Sequence, residues 1–320
     1  MKKLLITLII IAIPITSFSQ AKKVYRLALR TSNLNEKIEL LNQVISEEPK
    51  NLDAYFYRAI AKNDTGDYHG AIVDYSKIIV NKPDADTYFN RGNSRYSIKD
   101  FKGAKADYAK AYLLDENFID ALYSLACVKL DLEEYLSAIT DFSKIIKLYP
   151  ENANTYTLRA SAFKAIENFK YAIKDYSTAI LIEPTSDNYY NRGTYFMEIK
   201  YFKKANSDLT RAIRLNRNNT YAYFYRGASN LFLGHFNEAI IDFNQAIKFD
   251  SLDFDAYLGL AMSYQKINNT ANAKLNFEKA NNIINPHTKT TSINQYTNTY
   301  WFQNHYFYFN SALKAFIKAK

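Results

Sequence analysis

Cysteine is nearly missing from this chain: Cys127 is the only one in 320 residues. A lone thiol cannot build an internal disulfide framework, and no cysteine cluster with metal-ligand spacing exists. Glycine (8) and proline (6) are scarce, while 48% of residues are apolar and 23% charged, the balance of a folded chain rather than a low-complexity one. Catalytic signatures are missing too. There is no His-Glu-x-x-His, no Gly-rich phosphate loop and no Gly-x-Ser-x-Gly. The four histidines, His69, His235, His287 and His305, lie far apart in sequence. Glu133 and Glu134 are adjacent carboxylates, but they fall in a turn, where solvation accounts for them. These absences argue against an enzyme, a metal centre and a bound cofactor.

Long apolar runs are confined to the amino terminus. Lys2 and Lys3 precede an apolar stretch from Leu4 to Ile15, and Ser17 and Ser19 supply small residues for a cleavage site. That layout is expected of a secretory signal peptide over residues 1–19. The stretch is short of the roughly 20 residues a span requires. No cysteine directly follows it, so a lipoprotein anchor is not expected. The expected address is the periplasm, or outside the cell. Formal charge is +9, and +7 without Lys2 and Lys3. Acidic residues are interspersed throughout, so a mixed solvated surface is the reading; with export, nucleic acid is a poor partner.

The chain is rich in regularly placed alanine. Ala71, Ala104, Ala138, Ala172, Ala205, Ala239 and Ala273 are separated by 33 or 34 residues each time. Such regularity marks one supersecondary unit repeated in a row. With the alanine as position 20, units begin at Leu52, Ala85, Ile119, Ala153, Ser186, Thr220 and Phe254. Position 4 is Tyr in all but Leu122. Position 8 is Gly or Ala, position 24 Tyr, Phe or Leu, and position 27 Ala or Ile. Bulky and small positions recur at steps of three and four, so each unit reads as two helices of about 13 residues joined by a short turn. Small residues at 8 and 20 let the helices approach, and large ones at 4 and 24 fill the space beside them. Asp67 and Asp100 are placed to cap second helices. Pro49, Pro83, Pro150 and Pro184 mark the joints.

These positions, with Pro at 32, resemble the tetratricopeptide repeat over Leu52 to about Pro286. The resemblance implies an all-α, right-handed α-solenoid of tandem helix-turn-helix repeats, with a concave groove that holds peptides or protein segments. Residues 20–51 fit a degenerate capping repeat, in which Leu34, Leu41, Val44 and Pro49 keep register but Lys37 replaces the alanine. Residues 52–286 hold seven repeats, and 287–320 a linker and capping helix.

Position 7 is Arg in five repeats and position 23 is Asp in six. Pairing within a repeat satisfies every arginine: Arg58–Asp74, Arg91–Asp107, Arg159–Asp175, Arg192–Asp208 and Arg226–Asp242. These are expected to be structural forks between facing helices. By the resemblance, positions 2, 5, 6, 9, 12 and 13 line the groove. Candidate partner-binding residues there are Tyr57, Phe89, Asn90, Asn93, Tyr123, Tyr190, Asn191, Phe224 and Tyr225. Rings offer contact area at low entropic cost, and Asn can bond an extended backbone. The family's clamp for a terminal carboxylate is missing, since Phe56 and Ile60 occupy its positions in the first full repeat. Asp53, Asp86, Asp120, Asp187 and Asp255 at position 2 favour a basic or neutral segment. Cys127, at position 9, reads as a small packing residue.

Beyond residue 292 a helical stripe returns: Phe302, Tyr306, Phe309, Leu313 and Phe316. It is expected to cap the last repeat. Tyr300, Trp301, Phe307 and Tyr308 fall off that stripe and are expected to fold into the groove or dock on a partner, with Trp301 and Tyr308 foremost; the rival expectation is a longer helix wrapped by the solenoid end. The function expected is a non-catalytic protein-interaction scaffold of the cell envelope. The alternative is a soluble glycan- or nutrient-binding protein that stacks sugars on groove aromatics.

Overall fold

The computed structural model describes residues 20–286 and 292–318. The signal-peptide stretch and most of the expected linker lie outside the described residues. Everything described is helix, turn or joint, with no strand among the described residues. Helix α1 runs through 20–30 and is followed by α2 (Leu34–Glu47). Seven helix pairs come next: α3 (Leu52–Asp64) with α4 (Tyr68–Asn81), α5 (Ala85–Ser97) with α6 (Phe101–Leu114), α7 (Ile119–Asp131) with α8 (Tyr135–Leu148), α9 (Ala153–Ala165) with α10 (Phe169–Ile182), α11 (Ser186–Glu198) with α12 (Phe202–Leu215), α13 (Thr220–Leu233) with α14 (Phe236–Phe249), and α15 (Phe254–Lys266) with α16 (Thr270–Ile284). A 3₁₀ turn (Ile293–Tyr296) leads into α17 (Tyr300–Lys318). The fold is an α-solenoid of helix-turn-helix repeats.

The pattern positions form the cores. All seven position-20 alanines are buried, as are the rings or leucine at position 24. Glycine at position 8 has a steric reason: a Cβ on Gly92 would stand 2.7 Å from the Tyr108 ring, and one on Gly227 3.0 Å from Phe243. The backbone there must come closer than a methyl group allows.

Each helix pair turns in the same way. Position 15 has positive φ in every repeat: Gly66, Lys99, Glu133, Glu167, Lys200, Gly234 and Asn268. The next amide bonds back five residues, as in Asp67 N to Lys62 O at 2.8 Å and Tyr201 N to Phe196 O at 2.7 Å. This left-handed cap closes the first helix. Asp67 and Asp100 then cap the second helix, accepting from Gly70 N and Gly103 N at 2.9 and 3.0 Å.

The helices divide into two compact units. Among the described residues, one holds 20–150 together with Ser161–Asn168; the other holds Glu151–Ala160, 169–286 and 292–318. In the first, Leu41 and Val44 of α2 pack with Ala28 and Ala54, and Ala59, Ala71, Tyr75 and Ile78 form a core of their own. Lys37 is half-buried where later repeats carry the buried alanine. In the second, a larger core runs from α11 to α17 and takes in Trp301, Phe309 and Leu313.

Helix α17 corrects the expected stripe. At His305 the backbone leaves helical geometry (φ −140°, ψ 42°), which rotates the residues beyond it relative to those before. Trp301 is 0% exposed, Phe309 and Leu313 are buried, and Tyr306 stands at 38% exposure. Phe307 is 87% exposed. An uninterrupted helical period placed Tyr306 inside and Trp301 outside; the break reverses both.

Candidate functional site

The five expected Arg–Asp pairs all form as two-bond forks. Arg192 Nε and Nη2 donate to Asp208 at 2.7 and 2.8 Å, and Arg226 donates to Asp242 at 2.9 and 2.6 Å. Arg58–Asp74, Arg91–Asp107 and Arg159–Asp175 match them. The remaining guanidinium nitrogen often reaches back one repeat, from Arg91 to Ser76 Oγ at 3.0 Å and from Arg192 to Ser177 Oγ at 2.9 Å. Position 11 adds a second donor that sequence reasoning missed: Lys62 reaches Asp74 and Arg95 reaches Asp107, each at 2.9 Å. In the third repeat, where Leu125 replaces the arginine, Lys129 alone of the two positions holds Asp141. The signal was a basic residue four places after position 7. These arginines are therefore structural, each engaged within the helix layer.

In the first unit, the candidate binding residues differ in what they have left to offer. Tyr57 is 40% exposed, with the Tyr25 ring edge-on at 6.3 Å. Phe89 is wedged between Phe118 at 4.8 Å and Tyr108 at 5.7 Å, so much of its area serves the joint between repeats. Asn93 accepts the Tyr108 hydroxyl at 2.8 Å, and Asn90 donates to its own helix at Asp86 O. The Tyr123 ring meets Phe142 at 6.3 Å. Burial pushes the Cys127 thiol up to about 11, with Asp131 adding to it, and this holds it protonated. A thiol so held is a poor nucleophile, in keeping with a packing role. Asp53, Asp86 and Asp120 remain exposed.

In the second unit, Tyr190, Phe224 and Tyr225 come together, and Asn191 is half-buried on the same helix as Tyr190. Here the chain supplies its own occupant. Tyr300 stands edge-on to Phe224 at 5.1 Å and to Tyr225 at 5.5 Å. Trp301 packs against Phe224, Phe232 and Phe243 and donates its Nε1 hydrogen to Asp255 O at 2.8 Å. Tyr308 lies against Phe232 at 5.1 Å. Phe224 is thereby buried to 8% exposure, and Trp301 has no surface left for a partner. The expectation that the off-stripe aromatics share one role is corrected: Trp301 belongs to the core and Phe307 to the surface.

One carboxylate anchors this segment. Both Asp255 oxygens accept from the Tyr300 amide, at 3.0 and 3.1 Å, at the start of α17. A negative charge there suits the helix dipole. Burial nevertheless pushes the Asp255 carboxyl from near 3.8 up to about 7, aided by Asp253 and opposed by the Tyr300 amide. Burial also lowers His305 from 6.5 to about 4, with Lys200 adding to the effect. The two shifts act oppositely on stability. Asp255, raised on folding, contributes stability that is present below pH 3.8 and is lost as pH rises through about 7. His305, lowered on folding, contributes stability that is present above pH 6.5 and is lost as pH falls through about 4. Between these limits the slopes oppose. Relative to wild type, Asp255→Asn should therefore gain stability from pH 4.5 to 7.5, by on the order of 3 kcal/mol. His305→Gln should gain in the reverse direction. Urea denaturation across that range checks both; parallel curves for wild type and variants would refute the assignment.

Comparison with known proteins names the class these features define: a repeat protein of paired helices. Four segments, 85–118, 119–152, 186–219 and 254–286, match the tetratricopeptide repeat family model. Those four segments carry the tetratricopeptide repeat. It is 29% identical over 136 residues to human tetratricopeptide repeat protein 13, covering 42% of this chain and 16% of that one. It is 37% identical over 119 residues to human serine/threonine-protein phosphatase 5, covering 37% of this chain and 23% of the relative. The chain thus spans less than a quarter of these relatives, and the shared part is repeat. Among solved structures, a tetratricopeptide repeat protein from Parabacteroides merdae superposes with a TM-score of 0.56 at 18% identity, over 78% of this chain and 99% of that one. That likeness concerns the fold.

Proposed function

We propose that this protein is a non-catalytic scaffold that binds a peptide or protein segment along its first helices, and that it acts in the cell envelope. Tetratricopeptide-repeat proteins generally serve as protein-interaction scaffolds, and four matched segments carry that class here. Half-exposed and exposed aromatics on first helices, Tyr57 foremost, supply contact surface. Exposed acids at position 2 (Asp53, Asp86, Asp120 and Asp187) favour a segment with basic character. Export rests on the amino-terminal sequence: two lysines, an apolar stretch and small residues before Gln20.

The test sets peptides against sugars. Residues 20–320 would be panned against a random displayed peptide library and probed on a glycan array. The expected result is saturable peptide binding that Tyr57→Ala and Tyr123→Ala each weaken about tenfold, the size of a modest hot spot. Saturable binding of a defined sugar with no peptide captured would overturn the reading.

A further inference from the structure

The second unit contains a cleft lined by aromatic and acidic residues. Its volume is about 480 Å³, and it opens between the start of α13, the joint from α14 to α15, and Tyr300. Six aromatic rings line it: Tyr221, Phe224, Tyr225, Phe249, Phe254 and Tyr300. Three carboxylates join them: Asp250, Asp253 and Asp255. No lysine or arginine forms an ion pair with any of the three among the described residues. Each is engaged only by backbone amides: Asp250 by Leu252, Asp253 by Ala256 and Asp255 by Tyr300. Asp250 is exposed, whereas Asp253 and Asp255 are half-buried; the buried position-23 aspartates of the repeats are instead matched by arginine forks or by lysine. Burial raises the Asp253 carboxyl as well as that of Asp255, the response of negative charge with no countercharge near it.

The chemistry of the walls selects the ligand. Carboxylates attract a cation, and ring faces stabilise one once it leaves water. Among the described residues, no three His, Cys, Asp or Glu side chains are placed to hold a metal ion, so these carboxylates do not converge on a point. Spread charge among rings suits an organic cation on a methylene stem, whose stem packs on the aromatics while its head meets the acids. We infer that this cleft receives a lysine or arginine side chain of the bound protein segment. The inference deepens the scaffold reading and rests on it for the source of the cation. Tyr221, 71% exposed at the mouth, is positioned to meet an incoming chain, while Asp255 and Tyr300 stay tied to each other at the back.

A direct test needs no partner. Nα-acetyl-lysine methylamide and its uncharged norleucine analogue would be titrated into the protein while the backbone amide resonances of Asp253, Asp255 and Tyr300 are followed. The lysine probe should give saturable shifts, and the norleucine probe should give none. Asp250→Asn with Asp253→Asn keeps the amide acceptors, since Asn caps a helix as well as Asp does. This double variant should weaken lysine binding at least tenfold while leaving the urea midpoint near wild type. Equal shifts from both probes, or lysine binding untouched by the variant, would overturn the inference. Lysine binding in a protein that captures no peptide would leave the cleft standing and remove the scaffold reading; peptide binding without lysine binding would do the reverse.

Discussion

Replacing Trp301 by alanine is expected to cost the second unit about 3–5 kcal/mol, the usual range for emptying a buried tryptophan site. The side chain is fully enclosed, with Phe224, Phe232 and Phe243 around it, and its Nε1 hydrogen satisfies Asp255 O. Alanine leaves both a cavity and an unpaired carbonyl. Trp301→Phe keeps most of the ring volume and loses only the donor, so it should cost about 1–2 kcal/mol. Urea unfolding followed by circular dichroism measures both. Hydrogen exchange should show the alanine variant opening first in α17 and along α13 and α15, with the first unit unchanged. A cost under about 1 kcal/mol for Trp301→Ala would mean that α17 is not part of the core.

The second large effect concerns the forks. Asp208→Ala is expected to destabilise by about 3 kcal/mol, because it strands the Arg192 guanidinium between packed helices. Arg192 is one-fifth exposed, which holds the figure below that of a fully enclosed charge. Arg192→Met combined with Asp208→Leu replaces charge by apolar volume and should recover at least half of the loss. The third repeat is an internal control. There Asp141 is held by Lys129 and by Lys144, with no arginine at position 7. A lysine stem can swing its ammonium back to water, so Asp141→Ala should cost about 1 kcal/mol. A double-mutant cycle on Arg192 and Asp208 with no coupling, or equal costs at Asp208 and Asp141, would contradict the fork assignment.

The repeats were legible because packing imposes strict size limits at fixed spacing. In the seven full repeats position 20 is always alanine, and position 7 reports its partner through the need to match a buried carboxylate. Position 15 left no comparable trace. Five of its seven residues are not glycine, yet all adopt positive φ. Closing the first helix by its own carbonyls stabilises that backbone, and a lysine or glutamate there projects into solvent without altering the pattern. The second donor at position 11 was hidden because it varies among Lys, Arg, Phe, Asn and Tyr. At the carboxy terminus the failure has another cause. A helical period assumes unbroken geometry, and the turn at His305 re-aims every residue on one side of it. Likewise, listing Phe224 and Tyr225 by repeat position could not show that Tyr300 and Trp301 would come to lie on them. Tertiary contact between segments far apart in sequence decides which aromatics stay open, and local pattern carries no record of it.

The central claim is that first-helix faces bind a protein segment while the forks and α17 hold the frame. Hydrogen exchange on the protein saturated with the peptide selected by panning tests it most directly. Protection is expected in α3, α5 and α7 around Tyr57, Phe89 and Tyr123, or in the joint from Phe249 to Asp255, with α4, α6 and α8 unchanged. Protection confined to those second helices, where Val73, Val80 and Leu136 are exposed, would contradict the account.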